Sequence, residues 1–219
     1  MLKSFLHSST ADSRMYTPKH FLLDDPALQR RLVEAHPLAL LVAADARDAA
    51  APPVALHLPM VWVEEGGESW LEGHLARANP QLAALAEGQV LRLVFTGPDA
   101  YVSPSHYDSP LNVPTWNYLA LEVQGTLQLV EEALAKDRLL KRLIQPRDPA
   151  YVQQWLGLPA DYQQRLLGAI VGLRVRVQSV QAKAKLSQNR AAAERQRLIE
   201  HFDAGASPAM ARWMRQLGL

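Results

Sequence analysis

The heptapeptide "NVPTWNY", Asn112–Tyr118, lies near the middle of the chain and follows "AYVSPSHYD" almost directly. It places a proline, a tryptophan and two asparagines between two segments that alternate like β-strands. The proline restricts the backbone, and Trp116 offers a flat face between two hydrogen-bonding neighbours, Thr115 and Asn117. We predict a rigid loop shaped for a flat heteroaromatic ligand or for a partner subunit. A plain core position for Trp116 is the alternative.

The composition is that of an ordinary globular protein. The 219 residues are 48% hydrophobic and 21% charged, with 23 basic and 22 acidic side chains. This balance predicts no general attraction to nucleic acid or to an anionic membrane. The sequence has no cysteine, which excludes disulfides, thiolate metal sites and cysteine nucleophiles and fits a reducing cytoplasm.

Targeting signals are the next feature. No window approaches the roughly 18 uninterrupted apolar residues of a membrane-spanning helix, so we predict a soluble cytoplasmic protein without membrane contact. The apolar patch in "MLKSFLHSSTADSR" is too short for a secretory signal, and no small-residue cleavage site follows it. Residues 1–14 are therefore predicted to be an extension, and the domain to begin at Met15.

Periodicity and turn residues predict the elements. "DDPALQRRLVEAHP" is typical of a capped amphipathic helix, and "ARANPQLAALAEG" of a short one. Strands are predicted at "LALLVAAD", "PVALHLPMVWV", "WLEGHL", "VLRLVFTG", "AYVSP", "LALEVQGTLQLVE" and "IVGLRVRVQSV", with a hairpin turn at "EEGGES". Two or three helices are predicted at residues 131–167. A helical tail, broken at "DAGASP", is predicted at residues 190–219.

Six or more strands joined by hairpins and short helices favour a closed or partly closed antiparallel barrel with helices outside it. The fold class is therefore α+β with mainly antiparallel strands. We predict a barrel domain at residues 15–189 with a helical insertion at about 131–167, followed by the tail. No glycine falls in a GxGxxG or GxxxxGK[ST] arrangement, so the usual dinucleotide and triphosphate loops are missing.

Several kinds of active site have no support. The seven histidines show no HxxxH or HExxH spacing, so we predict no metal site, and no GxSxG elbow suggests hydrolysis. No side chain is identifiable as a general acid or base. What remains is a set of polar clusters at strand ends: "HLP", "GHLARANP", "SHYD", "TWN" and "KLSQNR".

These clusters carry a resemblance. In order, "MYTPKHF", "HLP", "GHLARANPQ", "GPDAYVSPSHY", "NVPTWNY", "AIVGL" and "KLSQNR" resemble the PaiB-type family of FMN-binding negative transcriptional regulators, from Met15 to about Arg190. The resemblance implies a split β-barrel that binds FMN at a homodimer interface and is related to pyridoxamine phosphate oxidases and flavin reductases. The family's regulatory name comes from repression of sporulation and protease genes in bacilli. His106 departs from the pattern, because the family usually has Trp there.

FMN needs donors around its phosphate, a flat apolar wall, and amide or hydroxyl groups for its pyrimidine edge. In "GHLARANP", His74 ends a strand, and Arg77 and Asn79 stand where a helix begins and favours an anion. An ordinary Asn cap followed by Pro80 is the alternative.

The "HLP" and "KLSQNR" clusters complete the predicted cofactor site. His57 precedes Leu58 and Pro59 and is either a flavin ligand, as the resemblance implies, or a hydrogen-bonded barrel residue. The second cluster supplies donors and amides for the phosphate or the pyrimidine edge, or is a solvated turn: Lys185, Ser187, Gln188 and Asn189.

Three functions remain open: an FMN-binding redox or flavin-responsive protein, a DNA-binding repressor without catalysis, and a haem-binding or haem-degrading split barrel. Between Arg174 and Arg197 there are seven basic residues against Glu194 alone, which is a phosphate funnel, a DNA-contacting face or a solvated surface. The tail resembles helix-turn-helix, but its second helix offers only Arg212 and Arg215 as basic side chains. We therefore predict an FMN-binding homodimer and rank DNA as the weaker partner.

Overall fold

Seven strands form one antiparallel sheet in the part of the chain that the structure, a computed structural model, describes, which is residues 15–219. The predicted extension at 1–14 lies outside these residues. The strands follow the order β2-β1-β5-β6-β7-β4-β3 across the sheet. They are β1 Leu38–Ala43, β2 Val54–Pro59, β3 Val61–Glu65, β4 Glu68–Ala76, β5 Val90–Val102, β6 Thr115–Val130 and β7 Ile170–Lys185.

Helices lie around this sheet. The α-helices are α1 Pro26–Ala35, α2 Ala133–Ile144, α3 Pro149–Leu156, α4 Ala160–Gly168, α5 Ala192–His201 and α6 Pro208–Gln216. Asp25 caps α1 and accepts from the amides of Ala27 and Leu28, as its sequence predicts. Three helices, α2 to α4, occupy the predicted insertion between β6 and β7. The tail is helical and broken by a π-helical turn, Phe202–Ala206.

The heptapeptide differs from its prediction. Strand β6 begins at Thr115, so Trp116 and Asn117 are strand residues and not loop residues. They pair with Tyr101 and Ala100 on β5, while Tyr118 pairs with Lys185 on β7. The loop prediction was wrong because pairing on both sides extends the strand past the point where apolar alternation is visible.

Two other strand boundaries also differ. "VLRLVFTG" and "AYVSP" form one strand, β5, whose register with β6 shifts between Thr96 and Asp99. Conversely, "PVALHLPMVWV" is two strands interrupted at Met60. The strand β2 pairs with β1 and the strand β3 pairs with β4, at opposite edges of the sheet.

The chain at Met60 therefore closes the sheet into a split barrel. Met60 is buried, and its backbone amide donates to the Pro37 carbonyl at 2.9 Å. On β4, Gly73 lies so close that a Cβ would meet the Pro59 carbonyl oxygen at 2.7 Å and the Met60 sulfur at 2.5 Å. Only glycine allows this approach, which also brings "HLP" beside "GHLARANP".

The barrel interior is the hydrophobic core. Alternate residues of β6 point inward and are fully buried, including Leu119, Leu121 and Val123. Helix α6 adds Met210 and Met214 to the same core. The polar clusters lie at strand ends, as predicted, although Asn117 and Ser187 within them are buried.

We expect Gly73→Ala to lower the free energy of unfolding by about 1–3 kcal/mol, because the added methyl group overpacks a backbone oxygen. Gly168→Ala is the matched control, since a Cβ there meets nothing within 4 Å. Urea unfolding followed by circular dichroism measures both. Equal stability of Gly73→Ala and the wild type would contradict the closure at this crossing.

Candidate functional site

One group of predicted site residues lies where the start of β6 pairs with the end of β7. The Lys185 ammonium donates to the Thr115 hydroxyl and, at 2.7 Å, to the Trp116 carbonyl. Burial, and then the neighbouring charge of Lys183, lower the pKa of Lys185 from its usual range. A cation in this setting gains from a nearby anion, because the anion offsets the cost of its desolvation.

Asn117 and Ser187 form a buried polar pair beside this lysine. The Ser187 hydroxyl donates to Asn117 Oδ1 at 3.0 Å, and Asn117 is fully buried. The other end of the amide, Nδ2, has no partner among residues 15–219. Ser187 has a φ of 64°, a left-handed conformation that is uncommon for serine. An unpaired buried donor next to a strained residue is typical of a site that binds a ligand.

Gln188 shapes the turn that carries these groups. Its side-chain oxygen accepts from the Leu186 amide at 2.7 Å, and its amide nitrogen donates to the Ala184 carbonyl. Gln188 therefore acts on the backbone of "KLSQNR". Asn189 is exposed beside it and lines the adjoining pocket.

The pocket between these strand ends, called the β6–β7 pocket below, has a volume of about 250 Å³. Its walls combine the polar residues with aromatic and apolar ones: His20, Phe21, Tyr107, Val113, Pro114, Thr115, Asn117, Lys185, Ser187, Asn189 and Arg190. The volume lies below the roughly 300–1,000 Å³ typical of sites for ligands of drug size. The pocket thus combines a small volume with donors suited to an oxygen-rich ligand edge.

Sequence reasoning missed Tyr107 and Arg190 as pocket residues. The Arg190 guanidinium stacks over the Tyr107 ring at 3.9 Å and donates to Asn112 Oδ1 at 2.7 Å. Both residues belong to quoted motifs, "SHYD" and "KLSQNR". The residue types alone pointed to the lysine and the amides, whereas the stacking needs the fold.

An apolar surface adjoins the pocket. Trp116 is 53% exposed and makes an edge contact with the 52% exposed Tyr101, with ring centroids 5.9 Å apart. Leu111 and Val113, just before Trp116 in the chain, are exposed as well. The exposure excludes the core alternative for Trp116. Large exposed apolar side chains in one strip are typical of an interaction surface.

The second group of predicted residues lies around the end of β4. His57 and Pro59 are exposed on the outer face of β2, and Leu58 between them is buried in the barrel. The Asn79 side chain accepts from the Gln81 amide at 2.9 Å and caps a 3₁₀ helix, Pro80–Ala84. The ordinary cap is thus the arrangement that the structure shows for Asn79.

The Arg77 side chain forms an ion pair and hydrogen bonds with other residues of the chain. Its guanidinium pairs with Glu131 and donates to the carbonyls of Gly168 at 3.0 Å and Ile170 at 3.3 Å. The hydrogen bond with Glu131 raises the pKa of Arg77. Arg77 therefore ties the end of β4 to the starts of β7 and α2.

The residues around Arg77 and those around Lys185 lie at opposite ends of β7. The Arg77 amide donates to the Ala169 carbonyl just before β7 begins, whereas Lys185 is the last residue of that strand. The 16 residues of β7 correspond to about 50 Å of extended chain. Within this chain, Arg77 and Asn79 therefore lie at the other end of β7 from "KLSQNR".

His74 takes a third position. Its ring lies in the wall of an apolar cavity beneath α2 to α4, and burial lowers its pKa from the usual range. It is neutral near pH 7, and the phosphate role predicted for this strand end does not fit its surroundings.

The basic excess near the C-terminus is engaged inside the protein. Arg174 and Arg176 pair with glutamates, and Arg197 pairs with Asp108. The other four basic side chains donate to the following acceptors: Lys183 to Tyr16, Lys185 to Thr115 and Trp116, Arg190 to Asn112, and Arg195 to Arg190. In the tail, Arg215 pairs with Asp203. These pairings favour neither a phosphate funnel nor a DNA-contacting face.

Within residues 15–219, no three His, Asp or Glu side chains converge as metal ligands. None of the helices in the same range is long and apolar enough to cross a membrane.

Comparisons with known proteins agree with this fold. A curated relative, protease synthase and sporulation protein PAI 2 of Bacillus subtilis, is 30% identical over 197 residues, covering 89% of this chain and 92% of the relative. Two solved structures share the fold. The flavocytochrome Anf3 from Azotobacter vinelandii has a TM-score of 0.57 at 16% identity, covering 75% of this chain and 69% of the other. The FAD and haem binding protein from Mycobacterium smegmatis has a TM-score of 0.55 at 22% identity, covering 80% and 78%.

The family match covers most of the described chain. Residues 15–179 match the family described as "Putative FMN-binding domain". The matched range contains the barrel, the heptapeptide and the helical insertion, and ends within β7. The chain therefore belongs to this FMN-binding domain family and folds as one of its split barrels.

Proposed function

We propose that this protein is an FMN-binding flavoprotein with two equivalent sites shared between the subunits of a homodimer. The observation that carries the proposal is the β6–β7 pocket, in which the buried Asn117 Nδ2 has no partner among residues 15–219 and lies near the partly desolvated Lys185. Membership of the FMN-binding domain family and the flavin named for two fold relatives support it.

The pocket residues suit a flavin by their chemistry. Lys185 supplies a positive charge for a phosphate, while Asn117 and Asn189 supply amide groups for carbonyl oxygens of a pyrimidine edge. The exposed faces of Trp116 and Tyr101 offer a flat apolar surface for a ring system. A bound flavin would supply hydride or electron transfer, and these residues would bind and orient it.

Sharing between subunits follows from the separation of the two groups. The resemblance assigns cofactor contacts both to "HLP" and "GHLARANP" and to "TWN" and "KLSQNR". These groups flank opposite ends of β7, so one ligand touches both only if the second group comes from another subunit. The exposed strip at Trp116 adjoins the pocket and supports an interface there, which in a twofold dimer is used reciprocally.

The regulatory role ranks below flavin binding. The B. subtilis relative is named for protease synthesis and sporulation, and we extend that role to this chain only as a flavin-responsive regulator. Direct DNA binding has less support, because the basic side chains between Arg174 and Arg197 have partners inside the protein. Haem ranks below flavin, because the matched family is described as FMN-binding, whereas haem is named only for a fold relative at 22% identity.

We expect Lys185→Ala to weaken FMN binding about tenfold or more, because a charge-assisted hydrogen bond contributes about 1.5–3 kcal/mol. Riboflavin lacks the phosphate and should bind the variant and the wild type equally. Arg212→Ala, which removes an exposed charge on α6, is the control. Flavin fluorescence titration measures all three proteins, and an FMN affinity unaltered by Lys185→Ala would remove the lysine from the site.

Trp116→Ala should weaken dimerisation and FMN retention together, because a central aromatic anchor contributes about 2 kcal/mol or more, roughly thirtyfold in affinity. Sedimentation of apo and FMN-loaded protein over a dilution series measures both, since a ligand bound only by the dimer shifts the equilibrium toward association. Tyr162→Ala, an exposed aromatic on α4, is the control. A monomer that keeps stoichiometric FMN at high dilution would refute the shared site.

Mixed dimers test the sharing directly. Arg77→Ala and Lys185→Ala should each weaken both sites of a homodimer, whereas a mixed dimer has one site with both residues intact. Unfolding and refolding the two variants together should restore tight FMN binding to about a quarter of the sites, because half of the dimers are mixed. Recovery that does not exceed the average of the separate variants would place both residues in one subunit's site.

A further inference from the structure

A second cavity lies at the opposite end of β7 from the β6–β7 pocket. It has a volume of about 360 Å³. It lies between the start of β7, the end of β4 and the three helices α2, α3 and α4. Its walls are mostly apolar: His74, Ala76, Leu140, Lys141, Ile144, Tyr151, Val152, Trp155, Leu166, Ala169 and Ile170. A cavity of this size and lining suits a molecule of one or two rings.

Hydrogen bonds behind the walls hold the cavity open. The Trp155 indole donates to Asp137 Oδ1 at 2.7 Å, and Lys141 pairs with the second oxygen of the same carboxylate at 2.5 Å. The Gln163 amide donates to the carbonyls of Trp155 and Leu158, each at 2.9 Å, and thereby fixes α4 against α3. Because these groups satisfy one another, the cavity face of Trp155 remains apolar.

His74 is the polar group of this wall that has no partner. Its Nδ1 atom is buried and has no hydrogen-bond partner within residues 15–219. Burial also lowers its pKa, so the ring is neutral near pH 7. A neutral imidazole carries one proton, and an unpaired buried N–H is disfavoured. The proton therefore belongs on Nε2, which leaves the ring as a hydrogen-bond donor at the cavity wall.

We propose that this cavity binds an uncharged cyclic molecule with a carbonyl oxygen, which accepts a hydrogen bond from His74 while its rings pack against Trp155, Ile144 and Leu166. A carboxylate is disfavoured because the ring is neutral and Lys141 already pairs with Asp137. This cavity shares no lining residue with the β6–β7 pocket, and His74 is its one residue that the resemblance also assigns to the flavin.

Three matched probes test the proposal by calorimetry on the full-length, FMN-loaded protein. Benzophenone has two rings and a carbonyl, diphenylmethane lacks the oxygen, and diphenylacetate adds a negative charge. We expect one benzophenone per chain, about threefold to tenfold weaker binding of diphenylmethane, and no saturable binding of diphenylacetate.

Variants then separate the ring contacts from the hydrogen bond. His74→Phe keeps a flat ring without the donor and should make benzophenone and diphenylmethane bind equally. Ile144→Trp should fill the cavity and abolish the binding of both molecules. If Ile144→Trp does not fold, Leu166→Trp takes its place. Leu134→Trp, at an exposed position of α2, is the control and should bind as the wild type does.

Several results would overturn the assignment: no saturable benzophenone binding, binding that survives both filling variants, a preference for benzophenone that survives His74→Phe, or diphenylacetate binding as tightly as benzophenone. Flavin absorbance recorded in the same samples keeps the two sites apart. A wild-type protein that binds benzophenone but holds no FMN contradicts only the flavin proposal, and a wild-type protein that holds FMN but binds no benzophenone contradicts only this one.

Discussion

The close approach of Gly73 to the chain at Pro59 and Met60 is the contact on which the barrel depends. The strands β2 and β3 are consecutive in the chain but pair with opposite edges of the sheet, so the residue between them must cross β4 closely. Any side chain at Gly73 would push these backbones apart. Closure at this point also sets "HLP" beside "GHLARANP", which the chain separates by more than a dozen residues.

Much of the fold was predictable from local patterns. Asp25 and Pro26 mark the start of α1, and the two glycines of "EEGGES" have φ values of 63° and 80°, which suit the predicted hairpin. The boundaries of β5 and β6 were not predictable, because ladders with distant strands decide whether "TWNY" is extended. The same holds for the site. Residue types identified Lys185 and Asn117, whereas the partner of Arg77, Glu131, is 54 residues away and carries no local signal.

The two ends of β7 use their polar groups differently. Around Arg77, the guanidinium has a carboxylate and two carbonyls as partners, and Asn79 caps a helix. Those contacts hold the helical insertion against the barrel. Around Lys185, by contrast, the Asn117 amide nitrogen is buried without a partner in the described part of the chain, and Ser187 is in a left-handed conformation. Local rules are broken at this end, as they are at binding sites.

Electrostatics at Lys185 gives this difference a direction. Desolvation and the charge of Lys183 lower the pKa of Lys185, so its ammonium form is less favourable in the folded protein than in water. Protonation of Lys185 as pH falls therefore does not stabilise the ligand-free protein. An anion bound beside it reverses the balance, because it restores the pKa and couples its own binding to the protonated lysine. The cost of desolvating the Lys185 charge is thus offset when an anion such as a phosphate binds beside it. The apolar strip at Trp116 carries no charge and can be covered by a neutral partner surface.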